Sequence, residues 1–278
     1  GKIIQTERLP TPKDSYSETL ISIAEIIQSL SASDNLPIGV GTPGAISLLT
    51  GLMKNCNSTF LNGMNFQEDL EKKLGRRVRI ANDADCFTLS EASDGAAKNY
   101  SLVFGVILGT GVGGGICLDG QLITGINAIC GEWGHNTLPL ASYKGNNKPK
   151  PGRTCYCGKV DCVETWLSGP GLQRTFKETT GHECSAQDVV MKAMQGEEAA
   201  CEVLDQYHNL LALGLSTVIN ILDPHVIVLG GGMSNVKSIY VETRKYLDQY
   251  VFSDQINNKI VPALHGDSSG VRGAAWLW

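Results

Sequence analysis

The 278-residue sequence has no run of Lys and Arg, and its 23 basic side chains are outnumbered by 28 acidic ones, for a formal charge of −5 and a pI near 5.6. Without a basic stripe there is no groove for a phosphate backbone, so nucleic-acid binding is not expected. No apolar run approaches the ~20 residues that span a membrane, and the start does not resemble a secretory leader. Nine Cys in such a chain point to a reducing, cytoplasmic setting. Low-complexity tracts and short internal repeats are missing too. What is present is an apolar content of 42%, enough for a substantial core at a length where single cores usually divide, and two lobes are expected.

Strand signals at 2–8 precede a Pro10 and Pro12 turn and an apolar helical face of Leu20, Ile23, Ala24, Ile27 and Leu30. Strands are expected near 37–41 and 44–49, followed by a polar loop with Asn55, Asn57 and Asn62. A short helix ending at Gly75 leads to a strand over 77–81, then helix to about Gly95. This alternation reads as α/β. A buried strand over 102–108 opens the second lobe, which holds a long helix from about 197 to 222, a strand over 226–229 and a helix over about 236–250. The predicted division is a small lobe of residues 1–97, joined by a terminal helix within 268–278, and a large lobe of residues 98–267.

Residues 109–115 (Gly-Thr-Gly-Val-Gly-Gly-Gly) contain G-x-G-x-x-G, but no helix follows: residues 115–118 run into an Asp119-Gly120 turn, so the stretch is a strand–loop–strand hairpin. A glycine tip beside the Thr110 hydroxyl can present backbone N–H groups to phosphate oxygens. Gly230, Gly231 and Gly232, between a β-branched strand and a helix, stand where α/β proteins admit nucleotides or simply turn tightly. Asp83 directly follows a strand, where a carboxylate can accept a proton from an attacking hydroxyl. The same position suits a helix cap, and pattern alone favours the cap. Asp85 is expected to be solvated or capping.

His135, Cys155, Cys157 and Cys162 have spacings suited to a closed tetrahedral zinc site, which leaves no open position for hydrolytic chemistry. Cys155 and Cys157 are too close in sequence to bridge comfortably. The other six Cys (Cys56, Cys86, Cys117, Cys130, Cys184, Cys201) are expected to be buried or incidental thiols. Glu132 and Glu164 lie beside proposed ligands, so a metal there would fix two carboxylates able to grip a polyhydroxylated ligand.

Together Asn82-Asp83, the 109–115 loop, Gly131-Glu132-Trp133-Gly134-His135, the Cys155 to Glu164 stretch and residues 229–232 resemble the ROK family of sugar kinases. Residues 55–63 and the tail 265–276 resemble its bacterial fructokinase and mannokinase branch. The resemblance implies an actin-like (ribonuclease H-like) two-lobed kinase with a hexose between the lobes, ATP and Mg2+ as partners in catalysis, a structural Zn2+ and a homodimer. It implies Asp83 as the base for the sugar 6-hydroxyl, with D-fructose the expected substrate. Asn82, Glu132, His135, Glu164, Gly44 and Asn57 would contact sugar. Gly109, Thr110, Gly111 and Gly113 would hold phosphates, with Gly230, Gly231 and Gly232 bordering adenosine. His135 with Cys155, Cys157 and Cys162 would hold the zinc.

Three departures stand out. Asp85 occupies a position the family usually gives to Asn, and Asp161 replaces a frequent Gly, a change the loop is expected to tolerate. Third, the family's opening Asp-x-Gly-Gly-Thr phosphate loop, roughly twenty residues with its flanking strands, does not precede Lys2. A chain starting at Gly1 is expected to turn over ATP poorly while keeping part of its sugar binding; a longer one keeps the family chemistry. A sugar-sensing regulator is the alternative from the same family, though no helix-turn-helix is present, and a zinc-dependent hydrolase is the third reading.

Overall fold

The computed structural model describes residues 2–12, 14–30 and 36–278. Helix α1 (Tyr16–Leu30) is followed by strands β1 (Ile38–Thr42), β2 (Ala45–Ile46) and β3 (Met53–Lys54), helix α2 (Phe66–Leu74), strand β4 (Val78–Asn82) and helix α3 (Asp83–Ser93). Next come β5 (Leu102–Leu108), β6 (Val112–Leu118) and β7 (Gln121–Leu122), then helices α4 (Val163–Leu167), α5 (Gly169–Thr180), α6 (Ala186–Met194) and α7 (Glu198–Leu222). Strand β8 (Val226–Gly230), helix α8 (Ser238–Leu247), strand β9 (Lys259–Pro262) and helix α9 (Ser269–Ala275) complete the chain.

β1 and β4 pair in parallel with Thr42 opposite Asn82, so both strands deliver their carboxyl ends to the same edge. Under them Ile38, Phe66, Leu70 and Val78 form a small core with α1 and α2. The larger sheet has the order β7-β6-β5-β8-β9, with β5–β8 and β8–β9 parallel and the β5–β6 hairpin antiparallel. Period-two alternation splits its residues between two faces. Phe104, Val106, Leu108, Ile227 and Leu229 join the main core with α4 to α8, while Val103, Val226 and Val228 face α3 through Phe87 and Leu89.

Two expected strands are corrected. Residues 2–12 form no regular element, and Ile4 is 95% exposed. A strand needs a ladder partner, and none pairs with this segment among the described residues. The strand expected over 44–49 shrinks to β2, because the chain turns back through residues 47–52 and leaves Leu48 and Leu49 exposed at the turn. The helix expected from about 236 starts at Ser238, after a 3-10 turn at Gly232–Asn235.

Helix α3 seats against β5, β6 and β8 on one side and against α9 and β1 on the other. It comes too close for side chains. A Cβ on Gly105 or on its cross-strand partner Gly115 would lie 2.0 or 2.6 Å from the Thr88 hydroxyl, and one on Gly273 would lie 1.6 Å from the Cys86 carbonyl oxygen. The fully buried Glu91 then ties the terminal segment down, accepting from the N–H groups of Ala96, Leu264 and His265 and from the Ser269 hydroxyl at 2.8–3.1 Å. Because that contact is to backbone, Gly273→Ala is expected to cost about 3 kcal/mol by overpacking. Gly270→Ala in the same helix, where a Cβ meets nothing within 4 Å, should be neutral or stabilising by up to ~1 kcal/mol. Urea denaturation of the two variants checks the pair.

Candidate active site

β4 hands the chain to α3 through Asn82. Its Oδ1 accepts from the Ala84 N–H at 2.8 Å, making Asn82 the N-cap, and its Nδ2 donates to the Gly44 carbonyl at 3.0 Å. The capping role considered for Asp83 thus belongs mainly to its neighbour. Asp83 occupies the first helical position, where its Oδ1 also accepts from Ala84 N–H at 2.8 Å. Water reaches the carboxylate, yet protein encloses most of the space around it; that enclosure raises its pKa, opposed by the N–H groups of Ala84 and Asp83.

Other carboxylates share this environment. The Glu132 pKa is raised by burial and by Asp83 and Glu164, and held down by His135 and Lys54. Asp85 is partly exposed and caps nothing among the described residues. Its Oδ1 is buried without a hydrogen-bond partner among the described residues, close to Gly115, and its pKa is pushed up to about 7 by burial, then by Glu132 and Asp83.

The metal motif assembles as its spacing predicts. One donor atom from each of His135, Cys155, Cys157 and Cys162 lies within 4.8 Å of every other. Cys155 Sγ to His135 Nδ1 and Cys157 Sγ to Cys162 Sγ are both 3.6 Å. Zinc bonds of about 2.3 Å to sulfur and about 2.0 Å to nitrogen give tetrahedral edges of roughly 3.5–3.8 Å, so the donor set fits a closed structural ion. Nδ1 faces the thiols while Nε2 meets the Tyr156 hydroxyl at 3.0 Å, which leaves the second ring nitrogen for polar contacts outside the cluster. Asp161, where Gly is frequent, has φ 56° and caps the loop by accepting from the N–H groups of Gly152 and Arg153 at 2.8–3.0 Å. Asp tolerates this left-handed backbone because its side chain bonds locally.

The glycine stretch divides into two jobs. Residues 109–111 form the hairpin tip, with Thr110 exposed. Gly113 lies inside β6, where a Cβ would meet Ala84 at 3.1 Å, and Gly114 faces Trp133, whose indole N–H donates to Gly113 O at 3.0 Å. These glycines admit neighbours instead of forming the tip. Gly230 likewise makes room for the Phe87 ring, a Cβ there falling 2.4 Å from it, whereas Gly231 has φ 81° and Gly232 opens a 3-10 turn with free space around it.

Glu164 also reaches the glycine hairpin. Its Oε2 accepts from the Val112 N–H at 3.0 Å, and its Oε1 is 4.0 Å from Cys155 Sγ. A cleft of about 970 Å3 is walled in part by Asn55, Asn62, Ile116, Ile129, Glu132 and His135, and neither Asp83 nor Glu164 lines it. The carboxylate group and the cleft meet at Glu132 and His135. Asn57 is exposed with Oδ1 on the Ser58 N–H at 2.7 Å, and Asn55 takes the wall position expected of it. Asn55 has φ 59°, a backbone Asn accepts readily. Lys54 was also missed: its Nζ reaches the Asn127 carbonyl at 2.7 Å, linking β3 to the loop before Glu132.

Asp85 supplies a test of this electrostatic picture. A carboxyl whose pKa is higher folded than unfolded binds protons better in the folded state, so its stability cost grows from about pH 4 and is complete above about 7. Asp85→Asn should therefore melt nearly with the wild type at pH 4.5 and above it at pH 8, as thermal denaturation at both values would show.

The whole chain, residues 1–278, matches the family model described as ROK family. It is 40% identical over 278 residues to the N-acetyl-D-glucosamine kinase of Vibrio parahaemolyticus, covering 99% of this chain and 91% of that one. A ROK hexokinase from Thermus thermophilus aligns with a TM-score of 0.81 at 25% identity, over 96% of this chain and 87% of its own. A ROK-family glucokinase from Streptomyces griseus, solved with glucose and AMPPNP, also gives 0.81, at 22% identity over 99% and 92% of the two chains, a likeness of fold. A family match that runs the full length, on a shared architecture, means that the chain belongs to the ROK family and has the two-lobed, actin-like α/β fold of its kinases.

Proposed function

We propose that this protein is an ATP-dependent sugar kinase that phosphorylates the 6-hydroxyl of a hexose, with N-acetyl-D-glucosamine ranked ahead of the D-fructose expected from the sequence. The change in rank rests on the 40% identical relative, an N-acetyl-D-glucosamine kinase. The cleft beside Glu132 and His135 supports it: Ile116 and Ile129 line it together with Asn55, the mix of apolar and polar groups that a substituent with both an amide and a methyl calls for. In this reading residues 1–97 and 268–278 form one lobe, consistent with α9 packing on β1, and residues 98–267 form the other.

The observation that carries the reading is Asp83, which shares the Ala84 N–H with the N-cap Asn82 and is held beside β6 at the start of α3. As the sugar 6-oxygen bonds to the γ-phosphorus, its O–H bond breaks toward Asp83 and the bond to the leaving ADP oxygen breaks on the far side. The raised pKa suits Asp83 to receive that proton. Glu132 offers an acceptor to sugar hydroxyls, His135 Nε2 can exchange its Tyr156 partner for one, and the tip at residues 109–111 offers backbone N–H groups to phosphates. Magnesium brought with ATP would neutralise phosphate charge. Zinc held by His135, Cys155, Cys157 and Cys162 would order the loop, leaving the proton transfer to Asp83.

A panel of hexoses with ATP, followed by coupled ADP release, tests the assignment. N-Acetyl-D-glucosamine should give the highest kcat/KM, and fructose as the best substrate would restore the earlier ranking. Asp83→Asn should lower kcat by about 10²- to 10⁴-fold with sugar affinity largely kept; unchanged turnover would remove Asp83 as the base. The wild-type rate should fall with acid at a pH above the ordinary Asp range, because the group that must be ionised has a raised pKa.

A further inference from the structure

The metal loop and the glycine hairpin are joined through one corner of the molecule. Cys162 caps the N-terminus of α4, and Glu164, two residues on, accepts from Val112 N–H at 3.0 Å. Where α4 gives way to α5, Gly169 N–H donates to the Gly109 carbonyl at 2.8 Å. The tip at residues 109–111 is thus held on both flanks. Gly111 is shaped to this contact, since a Cβ there would lie 2.5 Å from Glu164 Oε2.

That corner is in turn gripped by Arg153, from the same loop as the Cys residues. Its guanidinium stacks 3.5 Å over the Trp166 ring and donates to the carbonyls of Thr165 and Gly171 at 2.8 and 3.2 Å. It also meets Thr175 Oγ1 at 2.9 Å and pairs with Glu178 at 2.6 Å, while its own side chain is 1% exposed. A buried guanidinium with this many partners leaves its loop little freedom relative to α4 and α5.

We propose that Glu164 is a positioning residue for the glycine hairpin, and that order in the Cys loop is passed through the α4–α5 corner to the nucleotide side of the site. The metal cluster then supports phosphate binding as well as the sugar pocket. This rests on the kinase reading above, in which the tip at residues 109–111 receives phosphates. A carboxylate that only touched sugar would have no effect on nucleotide binding when sugar is absent.

The test is calorimetric titration of the full chain with the ATP analogue AMPPNP, without sugar, comparing wild type, Glu164→Gln and Glu164→Ala. The Gln amide oxygen can still accept from Val112 N–H, so Glu164→Gln should bind within about twofold of wild type, while Glu164→Ala loses the bond and should bind about tenfold more weakly. Stripping the metal with a chelator should weaken AMPPNP binding in wild type and add little in Glu164→Ala, because both act through one link. Should Glu164→Ala fail to fold, Gly169→Pro removes the other brace at a first-turn position that tolerates Pro, and the same weakening is expected. Wild-type affinity for AMPPNP in both Glu164→Ala and Gly169→Pro would overturn the proposal and leave the kinase reading standing. A wild-type protein that carries the opening phosphate loop and still does not bind AMPPNP would remove both.

Discussion

The close seating of α3 is the constraint on which the rest depends. This helix starts at Asp83 and is enclosed by β5, β6, β8, β1 and α9, and at several of these contacts glycine stands where any side chain would collide. Such packing is stiff because backbone meets side chain or backbone directly, with no flexible cushion between them. A carboxylate at the start of a stiff helix keeps its place. It is also enclosed, and that enclosure shifts the pKa values of Asp83 and Asp85 upward.

Gathering Asp83, Asp85 and Glu132 near one another is costly unless something else holds the frame. Three devices do so: Asn82 bridges the start of α3 to Gly44, Trp133 pins β6 through Gly113, and the loop carrying Cys155, Cys157 and Cys162 is locked by Arg153 and Asp161. The Cys loop and His135 bring four donors within 4.8 Å of one another, two of the separations being 3.6 Å. A bound ion would add to the order of the loop that carries its ligands.

Much of this was legible in the sequence. The hairpin could be read because residues 102–108 are a short continuous apolar run, the tip is glycine-rich and Asp119-Gly120 marks the next turn; the end of α2 could be read because Gly75 supplies a left-handed cap. The metal cluster was legible from local spacing alone. Harder were features set by distant neighbours. Nothing local separates Gly111, at a tip, from Gly113 or Gly230, which face Ala84 and Phe87 from another element. Asn55 and Asn57 have the same chemistry two residues apart, and only the folded cleft shows which of them lines it. The bond from Val112 N–H to Glu164 was not legible because the two residues are 52 positions apart. Leu48 and Leu49 imitated a strand while standing exposed in a turn.

The central claim is a division of labour, with a closed metal site bracing the cleft and Asp83 receiving the proton. A crystal structure of the protein with N-acetyl-D-glucosamine and AMPPNP, with anomalous data at the zinc edge, tests it most directly. The expected result is one zinc with four protein ligands and no water, and a sugar 6-hydroxyl about 2.6–3.2 Å from an Asp83 oxygen. An ion with an open coordination position facing the sugar, or a 6-hydroxyl directed away from Asp83, would contradict it.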